Sequence, residues 1–459
     1  MVRSVRKQKP FKAFASQFSG RVVLPDDPGF DEARAVFNGM IDKRPALIAQ
    51  CTSPADVTAA LAYALGQGLE IAVRSGGHSV AGMSSVEGGA VIDVRPMKEI
   101  HIDTEQHIGR VGAGVTWGEF DQAAQEHGLA TTGGRVSTTG VAGFTLGGGS
   151  GWLERTYGLA CDNLLAVELV LADGRPVRAT AQELPDLFWA LHGGGGNYGV
   201  ATAFEFMLHP VGPLVHAGLM IWPMASATDL AHGFRDFVAT MPDEVGTGLV
   251  FLTGPPEPFI PPHLQGQPVC AIAVCYYGPI DDGEAVLAPL RALAPEVDLV
   301  QPMPYVEFQK MLDDPPGMRN YWSASYLFAL SDDAIATVLK SSSDVPSPLT
   351  QNILFPWGGA VARVREKDTP MAQRDAAWIY HPFAVWQSPF DDAANIEWAK
   401  GAIADMQHFS SGGTYLNFIG DEGQSRIEAA FGPSYTRLRD LKWRYDKHNV
   451  FHLNQNIKV

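Results

Sequence analysis

His78 follows the run Ser75-Gly76-Gly77, which itself follows a short, apolar, β-branched stretch from Glu70 to Arg74. Such a stretch reads as a strand. The two glycines break it, free the backbone for positive φ and expose a row of N–H groups. A concavity of that kind suits a pyrophosphate, and the turn fixes the histidine beside it. Taken alone, the stretch reads equally well as a strand ending beside an ordinary histidine. Two further glycine segments favour the chemical reading. Residues 133–151 carry almost no charge and hold Gly133, Gly134, Gly140, Gly143, Gly147, Gly148, Gly149 and Gly151. Residues 192–199 run His192-Gly193-Gly194-Gly195-Gly196-Asn197-Tyr198-Gly199. At that glycine density the first segment is expected to be neither regular helix nor central strand. It is too apolar for a solvent loop, which leaves a buried, turn-rich segment wrapped on a ligand.

Several familiar chemistries fail on order or spacing. Gly194, Gly196 and Gly199 match the dinucleotide fingerprint as a string, but a helix precedes them and a strand follows, the reverse of what that motif needs. No phosphate-binding loop of the Gly-x-x-x-x-Gly-Lys type occurs. The stretch Gly77 to Ala81 resembles a nucleophile elbow around Ser79, with alanine where glycine is required. The possible oxyanion string at His192 follows the serine instead of preceding it. The 13 histidines are scattered and no cysteine cluster appears, so no metal is expected. What remains is a large, buried, phosphate-bearing cofactor touched by three glycine segments and a fixed histidine. FAD has that size, and a histidine bonded to its ring would make it a stronger oxidant.

The elements that must position these residues follow in order. Residues 30–41 read as an amphipathic helix and 46–50 as a strand. Ser53, Pro54 and Asp56 open a helix to about Gly66. With the strand at 70–74 this makes a β-α-β unit. Strands are expected at 91–94 and 110–115. A helix is expected at 116–127, capped by Thr116 and Glu119. Residues 164–171 and 177–179 read as a hairpin through Asp173-Gly174, 185–191 as a helix and 200–208 as a strand. After Pro210 the glycine runs stop. Strands such as 266–277, helices such as 285–293 and a proline-rich loop at 254–262 follow. Residues 410–418 read as a turn and strand, and 435–445 as a helix.

The 459 residues allow two or three domains. The net charge of −16 argues against nucleic-acid or anionic-membrane partners. No apolar run is long enough to span a membrane. The basic residues Arg3, Arg6, Lys7, Lys9 and Lys12 have no apolar stretch after them and read as a solvated tail. Four cysteines, Cys51, Cys161, Cys270 and Cys275, form no Cys-x-x-Cys pair. Buried reduced thiols and a cytoplasmic protein are expected.

Together these residues resemble the berberine-bridge-enzyme-like branch of the vanillyl-alcohol-oxidase flavoproteins. The likeness is carried by Arg74 to His78, Val141-Ala142-Gly143 with Gly147-Gly148-Gly149, Tyr157-Gly158 with Asp162-Asn163, Leu187-Phe188-Trp189 with the run 193–200, Tyr415-Leu416-Asn417, and Leu453 to Ile457. The resemblance implies an α+β fold: a two-subdomain, PCMH-type FAD-binding domain plus a substrate domain with an antiparallel sheet flanked by helices. The implied boundaries are a tail at 1–19, the FAD domain at 20–212, the substrate domain at 213–410 and a returning C-terminal segment at 411–459. It implies FAD bonded once, through His78. Arg74, Ser75, Gly76, Gly77, His78 and Ser79 would cradle the pyrophosphate. Thr139 and Gly143 would lie against the flavin, Val200 near the adenine, and Asn417 and Asn454 at the isoalloxazine edge. Gly82, Thr138, Gly140, Gly147, Gly148, Asn163, Gly199 and Tyr415 complete the expected cofactor contacts.

Two departures from the family pattern shape the expected chemistry. Val136 stands where many relatives carry a second flavin-bonding cysteine, so a single bond and a smaller, more enclosed substrate are expected. Phe418 stands where many carry a tyrosine that serves or supports the base, which leaves Tyr415, Tyr380 and His381 as catalytic candidates. Thr139 takes the position that governs oxygen access in relatives. Its size admits oxygen, and its hydroxyl leaves an oxygenating chemistry open. Trp322, Trp357, Trp378 and Trp386 are expected to line an aromatic pocket. The implied activity is an FAD-dependent oxidase that takes hydride from a C–OH or C–NH carbon of a small secondary metabolite. Oxygen is the acceptor, hydrogen peroxide the product, and the enzyme a monomer or homodimer. The alternatives are a flavin dehydrogenase or oxygenase of the same fold, and a catalytically silent flavin-binding protein.

Overall fold

The computed structural model describes Val5 and residues 8–459; Arg3, Arg6 and Lys7 lie outside the described residues. The first sheet holds β1 (Arg21–Val23), β2 (Leu47–Gln50), β3 (Ile71–Arg74) and β4 (Ala90–Asp93) in the order β1-β2-β4-β3. β2, β4 and β3 run parallel, with Val73 beside Ile92 and Arg74 beside Asp93. The crossover helix Pro54–Gly66 starts where the sequence places it. The Ser53 hydroxyl accepts the Asp56 N–H, and Pro54 occupies the first turn, where no N–H partner is needed. β3 therefore ends at the glycine turn with its register fixed by a buried neighbour.

The next strands are β5 (Ile100–Asp103), β6 (Ile108–Gly112), β7 (Leu129–Ala130), β8 (Leu164–Leu171), β9 (Pro176–Ala179), β10 (Gly199–Met207) and β11 (His209–Pro210). All but β7 and β11, which pair with each other, form an antiparallel sheet in the order β5-β6-β10-β8-β9. The helix Trp117–Gln125 begins at a cap in which the Glu119 carboxylate accepts the Thr116 N–H at 2.8 Å.

The third sheet is wholly antiparallel. It contains β12 (Leu214–Pro223), β13 (Val245–Thr253), β14 (Pro268–Tyr276), β15 (Val297–Asp298), β16 (Gln301–Pro304), β17 (Arg319–Trp322), β18 (Ser325–Leu327), β19 (Gln351–Pro356) and β20 (Trp378–Trp386). Helices Ala227–Thr240, Gly283–Arg291, Asp332–Ser342 and Asp392–Asp405 pack on one face. Side chains alternate across each strand. Asn352, Leu354, Trp378 and Tyr380 therefore join the helix layer, while Ile353, Phe355 and Phe383 turn to the opposite face. The same alternation puts Cys270 and Cys275 in different clusters on opposite faces of β14. All four cysteines are buried free thiols.

Three local readings are corrected. The expected helix at 30–41 is only Phe30–Arg34. Tertiary partners claim the backbone beyond it: Arg74 takes the Ala33 and Ala35 carbonyls, and the Phe37 N–H bonds to the Gly77 carbonyl. The basic stretch is not all solvated tail. Lys9–Gln17 is a helix whose Phe11 and Phe14 are buried, Phe14 stacking on Tyr63 at 4.7 Å. Residues 414–418 contain a 3₁₀ turn at Leu416–Phe418 and no strand, because their polar groups bond to the glycine segment instead of a ladder. Among the described residues, no helix is long and apolar enough to cross a membrane.

Candidate active site

The three glycine segments and the exposed face of the third sheet enclose one cavity of about 510 Å³. Its floor is the β3 turn (Ser75 to Ser79), part of 134–150, and Gly193, Gly195 and Gly196 with Gly199. Gly76 and Gly140 meet backbone to backbone, and a Cβ on either would collide with the other's amide nitrogen. That contact brings two segments 64 positions apart in sequence to one wall, and only glycine permits it. Gly77 holds φ at +76°, the left-handed region where a side chain is strained. Among the described residues, no acceptor is bonded to the amides of Gly76, Gly77, His78 or Ser79.

His78 lines the cavity at the end of this turn. Its ring stacks on Phe37 at 4.2 Å, and its Nε2 lies 2.9 Å from the Thr138 hydroxyl. Burial lowers its pKa to about 4, against smaller upward pulls from Asp313 and the Thr138 backbone. The imidazole is therefore neutral at pH 7.

The roof is built on β17, β19 and β20. Trp322 and Phe383 stack at 4.5 Å, Phe355 and Gln351 stand beside them, and Phe418 stacks on His381 at 4.3 Å. The Nδ1 of His381 lies 2.8 Å from the Ser323 carbonyl, an acceptor, so Nδ1 carries the proton and Nε2 is left as an acceptor. Burial lowers the His381 pKa to about 4. Arg135 lines the wall between the Trp152 and Phe355 rings, 5.0 and 4.3 Å from their centroids. Its charge is paired with the buried Glu154 at 3.2 Å. At the rim, Asp313 accepts the Ser137 N–H at 2.6 Å and its hydroxyl at 2.5 Å. Burial, with repulsion from Asp313, raises Asp314 to about 6.

The structure gathers Ser75, Gly76, Gly77, His78, Ser79, Thr139, Gly140, Gly143, Gly147, Gly199, His381, Asn417 and Asn454 around this cavity. Thr138 reaches it only through His78. Several expectations are corrected. Arg74 points away: its guanidinium donates to the Ala33 and Ala35 carbonyls, because the strand's alternation carries it to the outer face. Gly82 and Gly148 are not among the lining residues: a Cβ on Gly82 would meet Ile41, and one on Gly148 would meet Met371 and Tyr415. Asn163 is consumed by the Tyr157 and Leu159 carbonyls and by His209. Val200 is buried in the second sheet opposite Val170; its neighbours Gly199 and Ala201 face the cavity.

Two catalytic candidates are displaced too. Tyr380 lies in the helix layer, its hydroxyl 3.2 Å from Ser341, with burial raising it to about 12. Tyr415 is fully buried, and its phenol oxygen accepts from the Gly149 N–H (2.9 Å), the Ser150 N–H (2.8 Å) and Asn417 Nδ2 (2.9 Å). Burial pushes its pKa up, so it is a clasp on the second glycine segment and not a base. Of the four tryptophans, only Trp322 faces the cavity.

Arg135, Gln351, Asp313 and Asp314 are cavity residues that motif reasoning missed. Arg135 had a visible mark, as the one charged residue among positions 131–150. The others lie on a strand and a loop with no motif.

The cavity fits FAD by its own chemistry. Unbonded amides cluster at the glycine turn. Asn454 Oδ1 is buried without a partner while its Nδ2 bonds the Gly196 and Phe451 carbonyls. A donor on the ligand would satisfy it. The "FAD binding domain" family matches residues 45–180, and "Berberine and berberine like" matches 414–458. The chain is 32% identical to (R)-6-hydroxynicotine oxidase of Paenarthrobacter nicotinovorans, covering 95% of this chain and 96% of that one. It is 28% identical to the FAD-linked oxidoreductase YgaK of Bacillus subtilis, over 96% and 97% of the two chains. The crystal structure of 6-hydroxy-D-nicotine oxidase from Arthrobacter nicotinovorans superposes with a TM-score of 0.87 at 30% identity, over 96% of this chain and 98% of that one. BBE-like 1 of Physcomitrella patens shares the fold at 23% identity, with a TM-score of 0.88 over 98% and 100% of the chains.

Proposed function

This chain belongs to the berberine-bridge-enzyme-like, PCMH-type FAD-linked oxidases, and from that premise we propose that it is an oxidase with FAD bonded once, through His78, acting on a C–OH or C–NH carbon of a small secondary metabolite. When bound, the flavin accepts hydride at N5 and returns the electrons to oxygen, giving hydrogen peroxide. The chain's residues do the rest. The amides of Gly76 to Ser79 carry the pyrophosphate. Residues 20–212 and 411–459 hold the cofactor, and 213–410 supply the substrate wall. The aromatic roof excludes water and orients a flat substrate. His381 Nε2, an acceptor with its proton fixed on the far nitrogen, holds the proton leaving the substrate heteroatom as hydride departs.

The observation that carries this reading is that His78, in the turn after β3, and His381, on β20, line the same cavity. The relative named for hydroxynicotine puts aromatic nitrogen compounds first in a substrate screen. The test has two stages. The denatured protein should gain the mass of one FAD, lost in His78→Ala. The native protein should then release peroxide with members of an aromatic amine and alcohol panel. A colourless protein that takes up no added FAD refutes the cofactor reading. Flavin reduction without reoxidation in air makes it a dehydrogenase.

A further inference from the structure

His78 is held on two sides, and the second has no role in the scheme above. Phe37 covers one face of the ring, and the Phe37 backbone is tied to the Gly77 carbonyl at 3.1 Å, so the stack belongs to the turn itself. At the edge, Nε2 lies 2.9 Å from the Thr138 hydroxyl. Thr138 comes from a different glycine segment, and the Gly76–Gly140 contact fixes the distance between the two. Among the described residues, Nε2 is the ring nitrogen seen with a side-chain partner, and the Thr138 backbone also bonds to the ring. We propose that Thr138 is a positioning residue for flavin attachment: by holding Nε2–H, it leaves the Nδ1 lone pair as the nucleophile towards the flavin methyl carbon. This rests on the His78 reading of the previous section.

The chemistry balances with dioxygen as oxidant. Nδ1 forms the C–N bond to the 8α carbon, one 8α C–H bond breaks and its proton leaves to solvent, the electron pair enters the ring system, and the imidazolium so formed releases its Nε2 proton as the second of the two protons. Dioxygen then takes those two electrons with two protons, giving hydrogen peroxide and oxidised, attached flavin. Attack from Nδ1 builds positive charge on the imidazole, and the Nε2–H that carries part of it points at the Thr138 oxygen. A hydroxyl stabilises that charge and, by rotating, also serves the neutral product. Burial keeps the free imidazole unprotonated at neutral pH, which an attacking nitrogen requires.

The test uses the full chain. Thr138→Val keeps shape and removes the hydroxyl; Thr138→Ser restores it. Each purified protein is incubated with excess FAD in air, and its covalent fraction is followed by intact mass after denaturation. Non-covalent uptake is followed by the visible spectrum of the native protein. Wild type and Thr138→Ser should reach full attachment. Thr138→Val should still take up FAD and attach it about tenfold more slowly, the scale of one lost hydrogen bond to a charged group. The flavin peptide of the wild type, hydrolysed and compared with synthetic Nδ1- and Nε2-histidylriboflavin, should be the Nδ1 isomer. An Nε2 isomer, or wild-type attachment rates in Thr138→Val, overturns the proposal and leaves the His78 assignment standing. Wild-type protein that is yellow when native but bare when denatured overturns the His78 assignment and this proposal with it.

Discussion

Asp121 offers a measurable link between a buried charge and the cavity wall. It lies on the helix Trp117–Gln125, fully buried, and its carboxylate accepts from Gln309 Nε2 at 2.8 Å. That same nitrogen reaches the Gly134 carbonyl at 3.3 Å, on the segment that leads into Arg135. Burial raises the Asp121 pKa from 3.8 to about 7. The folded state therefore binds the proton more tightly than the unfolded chain. The stabilising term is whole below pH 4, falls as pH rises from there, and levels off above pH 7. The full span is about 4 kcal/mol, and the part between pH 5 and pH 8 is about 3 kcal/mol, from 1.36 kcal/mol per pH unit. Asp121→Asn keeps an acceptor for Gln309 and removes the titration. For a chain of 459 residues the unfolding entropy is about 1 kcal/mol per degree, so 3 kcal/mol is about 3 °C. The difference in Tm between variant and wild type, read by calorimetry at pH 5 and pH 8, should shift in favour of the variant by about that amount. A difference that stays constant across the range would show that Asp121 titrates as an ordinary carboxyl, and the inferred desolvation would be wrong.

Other outcomes follow from the same packing. His381→Phe should lower kcat/KM about 10- to 100-fold, through loss of the Nε2 acceptor. Because burial holds His381 near 4, the wild-type rate should carry no inflection from this group between pH 5 and pH 9; one near 6.5 that vanishes in the variant would contradict the assignment. Gly76→Ala should weaken FAD binding, since the Cβ collides with the Gly140 amide and forces the walls apart at about 1–3 kcal/mol; flavin titration of the purified variant checks it. Lys442 is fully buried, with Asp446 at 2.6 Å and the Asn197 and Phe451 carbonyls at 2.8 and 2.9 Å. Lys442→Met strands the Asp446 charge and should cost about 3–5 kcal/mol, read as a lower Tm with weaker flavin retention.

The glycine turns were legible in the sequence because their chemistry is local. A strand followed by two glycines and a histidine makes the same turn wherever it is placed, and Ser53-Pro54 and Thr116-x-x-Glu119 state their caps in four residues. Composition set the class, and the dense, uncharged glycine segments announced a buried ligand. What no stretch of sequence carried was the face each side chain takes once strands pair. Tyr380 and His381 are adjacent and were equal candidates; strand alternation sends one into the helix layer and the other into the cavity, and the β19–β20 register decides which. Arg74 was lost from the site for the same reason. Tyr415 is a clasp and its role is not legible locally, because its three donors arrive from residues about 265 positions away and from Asn417. Its tetrad of polar groups exists only when the C-terminal segment closes on the glycine loop. Local steric rules write turns and caps into neighbouring residues, whereas facing, burial and proton affinity are set by whatever the folded chain brings alongside.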